Sequence, residues 1–493
     1  MNPLLFPSAP RKFPSIQRLG LPLEKWIGVI FFSAVGVLFF GLLNLRVGLW
    51  TGLGLVLTLV VFAHLGMTGD RCVAFPGLIA FAGCVQWIVA PWLSGFFPPS
   101  FPLFEMSIPL ERYMSYVVPA TAAFWLGLHW PVRREMRQPL TFPDMGEFSP
   151  GVRRALDGII LAGLFLSIFS RWIPSKFGFA GYVLASFRFF AALCWMLNGA
   201  KGWRLRVGIV FVFMFLQATA EGIFYQMIHW GGYFVLVYAF QRRWRWKLAM
   251  TLIAGVIGLG LLQAVKQEYR LFLQEEGEVR AVERFQKLGG LVKQRISRPY
   301  TSESEATVGD VLARFNQGWI IARIMDRVPR AIPFARGETI REAAIYTLVP
   351  RVLYPEKREG ASKALFTQYT GLPLRPWTSM GLGVIGELYA NFGVWGGVAA
   401  TFVYGWVVGF LFSIFLRRSL KNIFWLAVAS LVLLPVVEPG WNIEDVSNHI
   451  FKAGLIVFFL VWAVPWLRRF LALSSPWTIA QVTVDRAETP LAR

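Results

Sequence analysis

Long apolar runs separated by short polar segments dominate the hydrophobic pattern of the chain. Most runs are about 17–25 residues long, the length that an α-helix needs to cross roughly 30 Å of hydrocarbon. The run 207–240 is too long for one helix, and Gln217, Glu221 and Gln226 near its middle indicate two spans that meet at a tip. The pattern predicts twelve spans, at 26–43, 47–66, 72–93, 113–130, 155–172, 177–197, two within 207–240, 248–266, 394–416, 421–437 and 448–467.

Basic residues cluster at the ends of these predicted spans. If all twelve spans exist, every cluster falls on the same side of the membrane. Lys and Arg are enriched in cytoplasmic segments, so both termini are expected in the cytoplasm. The clusters lie around 11–25, 133–154, 201–206, 242–247, 417–421 and 468–469.

The expected fold is an all-α polytopic membrane protein with about twelve transmembrane helices. One large, mostly helical extracytoplasmic loop precedes the tenth span. The four regions are 1–266, a membrane bundle of about nine spans; 267–380, the large loop; 381–467, three C-terminal spans; and 468–493, a cytoplasmic tail. No internal repeat is visible, which weighs against transporters built from duplicated halves.

Composition supports a membrane protein and excludes several functions. The chain is 56% hydrophobic and only 16% charged, whereas soluble domains carry about 25% charged residues. The net charge of +21 does not indicate nucleic-acid binding, because the basic residues flank apolar runs and no nucleic-acid-binding signature lies between them. Membrane lipids are the expected general partner. The three cysteines lie in or beside apolar runs without zinc-site spacing, so no disulfide framework, metal or cofactor is predicted.

The second part of the predicted loop carries an unexpected excess of positive charge. Between 312 and 375 there are eleven basic residues and five acidic ones. Arginine presents a planar fork of donors that fits phosphate oxygens in pairs, so this cluster predicts an anion-binding surface. Pairing with local acids or contact with lipid headgroups is the alternative. The basic residues are Arg314, Arg323, Arg327, Arg330, Arg336, Arg341, Arg351, Lys357, Arg358, Lys363 and Arg375.

One segment of the loop looks especially rigid. Pro350 and Pro355 fix the backbone around Arg351 and shortly before Lys357. A rigid, turn-rich segment suits a pre-organised anion site, and an ordinary surface turn is the alternative interpretation.

A polar pair marks the entry to the tenth predicted span. Glu387 and Asn391 are four residues apart and therefore share one helix face, with Tyr389 between them as a further candidate for substrate binding. A carboxylate at the membrane boundary is unfavourable unless it is paired or functional. Glu387 could act as the general base that accepts a hydroxyl proton from an acceptor sugar, or it could orient an arginine.

Other motifs in the sequence give little support to further functions. Gly381–Gly386 fits the GxGxxG pattern without a surrounding βαβ unit, so a dinucleotide site is not predicted. Gly393 and Gly397 form a GxxxG motif that predicts close helix packing. The sequence contains no HExxH, P-loop or GxSxG motif, so metalloprotease, ATPase and common hydrolase activities lack support.

The order of these elements resembles that of Wzy-type O-antigen and exopolysaccharide repeat-unit polymerases, which are polytopic and carry one large periplasmic loop late in the chain. The resemblance covers about 312–400 and elsewhere is only a hydropathy profile. Its matching pieces are Ala313–Asn316, Arg336–Thr339, Pro350–Arg351, Tyr354–Pro355 with Lys357, Gly386–Tyr389 and Asn391–Gly393.

The resemblance implies metal-independent glycosyl transfer at the outer face of the bacterial inner membrane. A growing glycan on a polyprenyl pyrophosphate would move onto a new lipid-linked repeat unit. Arg314 and Arg351 would hold the pyrophosphate with help from Lys357, and Arg336, Tyr389 and Asn391 would contact substrate. Glu387 and Arg351 are the expected catalytic residues. Flippase and chain-length regulator proteins are the implied partners.

The sequence leaves three alternative functions. An O-antigen ligase shares the membrane design and the donor lipid but uses a different acceptor. A lipid-linked glycan flippase or other secondary transporter predicts similar halves and short external loops. A non-catalytic scaffold would give no reason for arginines beside a carboxylate at the membrane edge.

Overall fold

The computed structural model of the chain contains helices and no strand among the residues that it describes. Those residues are 47–68, 74–99, 101–133, 148–174, 177–221, 225–244, 246–248, 250–255, 258, 265, 268–269, 272, 281–297, 309–313, 315–349, 361–374, 380–437 and 440–472.

Fifteen helices longer than five residues lie within these ranges. The first seven are α1 (Leu49–Thr68), α2 (Phe75–Ser94), α3 (Leu110–His129), α4 (Pro150–Ile168), α5 (Gly178–Asn198), α6 (Trp203–Glu221) and α7 (Tyr225–Gln241). The segment predicted as the large loop holds α8 (Ala281–Ser297), α9 (Gly318–Arg327), α10 (Glu338–Leu348) and α11 (Ala361–Thr370). The C-terminal part holds α12 (Val384–Ser419), α13 (Trp425–Leu433), α14 (Ile443–Ala463) and α15 (Pro465–Ala472).

Six of the described helices are long and apolar enough to cross a membrane: α1, α2, α5, α6, α12 and α14. They correspond to six of the twelve predicted spans. The helices α3, α4 and α7 form where spans were predicted but fall outside this group, and Trp425–Val436 is a shorter apolar helix. The predicted span 26–43 and most of 248–266 lie outside the described residues, so the count of twelve stays a prediction.

Glycines allow α3 and α12 to pack closely along most of their length. A Cβ added at Gly405 would lie 2.6 Å from the carbonyl oxygen of Phe124. A Cβ added at Gly409 would overlap the carbonyl oxygen of Leu128, and one added at Gly397 would lie 2.9 Å from the Oη of Tyr116. Small residues that bring two backbones together are typical of helix contacts in membranes. The predicted packing role is confirmed for Gly397, whereas Gly393 interrupts the helix.

A π-helical turn in α2 anchors the segment that leads into α9. The turn spans Val85–Val89, and such turns leave backbone carbonyls without their usual helical partners. The backbone N–H of Gln317 donates to the carbonyl of Gln86 at 3.2 Å, and the hydroxyl of Tyr113 donates to that of Trp87 at 2.7 Å. The start of α9 is thereby fixed to an apolar helix.

Candidate functional site

A buried carboxylate joins the beginnings of α12 and α14. Glu387 lies in the first turns of α12 and has no exposed surface. Its Oε2 accepts a 2.8 Å hydrogen bond from the backbone N–H of Ile443, the first residue of α14. The first N–H groups of a helix have no partner within the helix and carry partial positive charge, so a carboxylate there is stabilised.

Thr339 connects this carboxylate to α10. Its hydroxyl donates to Glu387 Oε1 at 2.8 Å and accepts from the side-chain amide of Asn391, also at 2.8 Å. The same amide donates to the carbonyl of Glu387, one turn earlier in α12. Both carboxylate oxygens of Glu387 are therefore occupied by protein donors.

Asn391 extends these hydrogen bonds to the turn that contains Arg336. Its Oδ1 accepts a 2.9 Å hydrogen bond from the backbone N–H of Gly337. The backbone N–H of Arg336 donates to the carbonyl of Asn391 at 3.1 Å, and that of Ala335 donates to the carbonyl of Ala390 at 3.0 Å. The turn is thus docked onto α12 through both side chain and backbone.

The backbone of this turn is in the left-handed region. Arg336 has φ 50° and Gly337 has φ 91°. Glycine adopts this conformation freely, whereas an L-residue with a side chain loses about 1–2 kcal/mol there. The hydrogen bonds to Asn391 hold the turn in place, and the Arg336 side chain remains exposed to solvent.

A break in α12 follows directly after the polar network. Gly393 has φ 68° and ψ −157°, which separates the short first part of α12 from its long second part. A Cβ at Gly393 would lie 3.1 Å from the ring of Phe334. The break therefore requires glycine and brings Phe334 close to the helix.

Tyr389 lies inside the protein rather than on a binding surface. It is 5% exposed, and its hydroxyl donates to the carbonyl of Val328 at 3.4 Å. Its ring packs against that of Tyr116 at a centroid distance of 5.0 Å, and the hydroxyl of Tyr116 donates to the carbonyl of Ile385. Both tyrosines therefore fix the beginning of α12 against its neighbours.

Two arginines on α9 lack an anionic partner within the described part of the chain. Arg323 and Arg327 are one helical turn apart, and the Nε atom of each is buried without a hydrogen-bond partner there. The guanidinium group of Arg327 lies against Gly371, where its Cζ would be 2.7 Å from an added Cβ. Arg330 differs, because it is exposed and donates to Asp326 at 2.7 Å. Two arginines one turn apart, each with an unsatisfied Nε donor and no ion pair among the described residues, are suited to binding an anion.

The structure brings together four of the predicted site residues: Arg336, Glu387, Tyr389 and Asn391. The burial of Glu387 does not support direct contact with substrate, and no ion pair of Glu387 with an arginine occurs among the described residues. Its two oxygens hold Thr339 and the N–H of Ile443 in place, and its predicted catalytic role stays a prediction. Asn391 and Tyr389 are likewise buried and hold the backbone, so only Arg336 presents its side chain to solvent. The predicted residues Arg314, Arg351 and Lys357 lie outside the described residues.

The sequence pattern did not identify Thr339, which hydrogen-bonds to both Glu387 and Asn391. It also did not distinguish Arg323 and Arg327 from the other arginines of the predicted loop. The spacing of the two arginines, four residues apart in a helix whose only other charged residue is Asp326, is a signal that could have selected them. No comparable signal marks Thr339. The described residues contain no cluster of three or more His, Cys, Asp or Glu side chains able to hold a metal ion.

Comparison with protein-family models, with curated proteins and with solved structures gives no match to this chain.

Proposed function

We propose that the chain is a membrane glycosyltransferase that polymerises polyprenyl-pyrophosphate-linked oligosaccharide repeat units into O-antigen or exopolysaccharide. It would act at the outer face of the bacterial inner membrane, with both termini in the cytoplasm. The observation that carries the proposal is the attachment of the Arg336 turn to α12 through Asn391, Thr339 and Glu387. A cationic loop fixed at the end of an apolar helix suits a substrate whose tail is in the membrane and whose pyrophosphate is at its surface.

The arginines of α9 add to the support for an anionic substrate. Arg323 and Arg327 carry buried nitrogen atoms without partners among the described residues, and burying a polar group without a hydrogen bond is unfavourable. A phosphate oxygen would satisfy these donors. The start of α9 is hydrogen-bonded to α2 through Gln317, so the helix that carries these arginines begins beside an apolar helix.

In the proposed reaction, the bond between the anomeric carbon of the donor sugar and the pyrophosphate oxygen breaks. The hydroxyl oxygen of the acceptor sugar bonds to that carbon, its proton passes to a base, and the pyrophosphate leaves on its lipid. Fixed guanidinium groups would stabilise the negative charge that develops on the leaving group. Glu387 would act through Thr339 and Asn391 by holding the Arg336 turn, and the base would be another group.

Arg351→Ala in the cells that carry the protein tests the proposal. The variant is checked for membrane expression, and the extracted lipid-linked glycans are separated by size. Accumulation of single repeat units with loss of long chains is the expected result. Long chains that stay on the carrier lipid would instead indicate a ligase, and an unchanged ladder with normal surface polymer would favour transport or scaffolding.

A matched set of variants tests the arginines of α9 in the same assay. Arg323→Gln combined with Arg327→Gln removes both guanidinium groups and is expected to shorten or abolish the ladder. Arg330→Gln removes an exposed, already paired arginine from the next turn and should leave the ladder unchanged. Equal ladders for the wild type, the double variant and the control would remove α9 from the anion site.

A further inference from the structure

A groove separates α8 from α6 near the Glu221 end of α6. Its volume is about 480 Å³, and its walls are formed by Phe215 of α6 and by Phe285, Leu288, Gly289 and Val292 of α8. Lys293 and Ser297 lie at its polar end. This groove takes no part in the network around Glu387.

Hydrophobic contacts hold α8 against α6 on one side of the groove. Leu288 and Leu291 are buried in a small core with Ala218 and Tyr269. The ring of Phe285 stacks on that of Phe215 at a centroid distance of 5.6 Å. The groove therefore lies between the amphipathic helix α8 and the largely apolar helix α6.

Two consecutive glycines in the middle of α8 need an explanation. Glycine is less favourable than alanine in a helix by about 1 kcal/mol per residue, so Gly289 and Gly290 weaken α8 in isolation. A Cβ at either position would meet no other atom within 4 Å. Gly289 lines the groove whereas Gly290 does not. The missing side chain at Gly289 leaves the groove open.

The surroundings indicate what the groove binds. The helix α6 is long and apolar enough to cross a membrane, and its residues Leu205, Ile209, Val212 and Leu216 are exposed. If α6 crosses the membrane, a groove beside its end borders the hydrocarbon as well as the headgroup region. Its apolar walls fit a hydrocarbon chain, and the exposed ammonium group of Lys293 at one end complements a negative charge. We infer that the groove is a binding site for one anionic phospholipid, with an acyl chain along α8 and the phosphate beside Lys293.

The experiment uses the purified full-length chain, stripped of lipid in detergent. It is titrated with phosphatidylglycerol or with phosphatidylcholine of identical acyl chains, and bound lipid is counted by native mass spectrometry. Gly289→Leu fills the groove, and Gly290→Leu makes the same change in helix propensity one residue away. The inference predicts that Gly289→Leu removes one tightly bound phosphatidylglycerol, or weakens it at least tenfold, while Gly290→Leu retains it.

The headgroup is tested separately. Lys293→Gln should reduce the preference for phosphatidylglycerol over phosphatidylcholine at least threefold without loss of acyl-chain binding. Lys287→Gln, on the same helix but outside the groove, should keep the preference. Phosphatidylglycerol binding that is equal in wild type and Gly289→Leu, or that falls equally in both glycine variants, overturns the inference. Because no glycan is present, the result does not depend on the proposed polymerase activity.

Discussion

The backbone N–H of Ile443 donates a 2.8 Å hydrogen bond to Oε2 of Glu387, a side chain with no exposed surface. Glu387 belongs to the first turns of α12, and this contact brings its carboxylate to the N-terminus of α14. The other oxygen binds Thr339 at the start of α10. Three helix beginnings therefore meet at one side chain, and the turn with Arg336 is held by the same network.

The first prediction concerns Glu387. Glu387→Leu leaves the N–H of Ile443 and the hydroxyl of Thr339 without their acceptor, and each such loss costs about 1–3 kcal/mol. Thermal unfolding in detergent should show a clear drop in the midpoint. Glu387→Gln keeps an oxygen for Ile443 and should unfold close to wild type.

Activity of the same glutamine variant separates two roles for Glu387. If Glu387 is a positioning residue, Glu387→Gln should retain a measurable part of glycan polymerisation, because its amide oxygen still accepts from Ile443 and its NH2 group can donate to the Thr339 hydroxyl. Complete loss of polymerisation in a protein of wild-type stability would support the prediction that Glu387 is the general base.

Thr339 provides the second prediction. Thr339→Val has nearly the same shape but removes the hydroxyl that donates to Glu387 and accepts from Asn391. We expect a loss of about 1–3 kcal/mol in the free energy of unfolding, measured by denaturant titration, and reduced polymerisation. Thr339→Ser keeps the hydroxyl and serves as the control. If the valine variant equals the serine variant in both assays, the network does not hold the site.

Substitution of Arg336 should affect polymerisation without lowering the stability of the fold. Its φ of 50° is unfavourable for arginine but not for glycine, so glycine would relieve strain in the folded state. Glycine also has more conformational freedom in the unfolded chain, which offsets part of this stabilisation. Arg336→Gly should leave the free energy of unfolding unchanged or raise it by up to about 1 kcal/mol, while polymerisation falls. Arg336→Lys keeps a cation as the comparison. Unchanged polymerisation in the glycine variant would exclude a substrate contact by Arg336.

The break in α12 gives the fourth prediction. Gly393→Ala introduces a side chain at φ 68° and places its Cβ against Phe334, which should lower the free energy of unfolding by about 1–3 kcal/mol. Gly454→Ala is the control, because Gly454 lies inside α14 with open space around it. Thermal unfolding of both variants checks the difference. Equal midpoints would mean that the break tolerates a side chain.

The hydrophobic pattern alone predicts a helical protein, which the described residues confirm, and the positions of α1, α2, α5, α6, α12 and α14. It also predicted that Glu387 and Asn391 share a helix face. The bonds of Glu387 to Thr339 and to the N–H of Ile443 were beyond prediction, since they join residues 48 and 56 positions apart. Periodicity describes one helix at a time and does not give the packing that buries a carboxylate between three of them.

The roles of the glycines are also only partly predictable from the sequence, because they depend on packing between helices. The spacing of Gly393 and Gly397 predicted close packing for both. A positive φ at Gly393 and the contact of Gly397 with Tyr116 show two different functions for glycine. Gly393 is required for its backbone conformation and Gly397 for its small size. The sequence alone does not distinguish these two requirements.

The most direct test of the central claim uses the purified full-length chain in proteoliposomes with a polyprenyl-pyrophosphate-linked repeat unit as the only glycan substrate. Products are separated by size at successive times, with the Arg323→Gln and Arg327→Gln double variant measured in parallel. The account predicts lipid-linked products of two, three and more repeat units for the wild type and a strongly reduced yield for the variant. Repeat units that stay single with verified, folded wild-type protein would contradict polymerase activity.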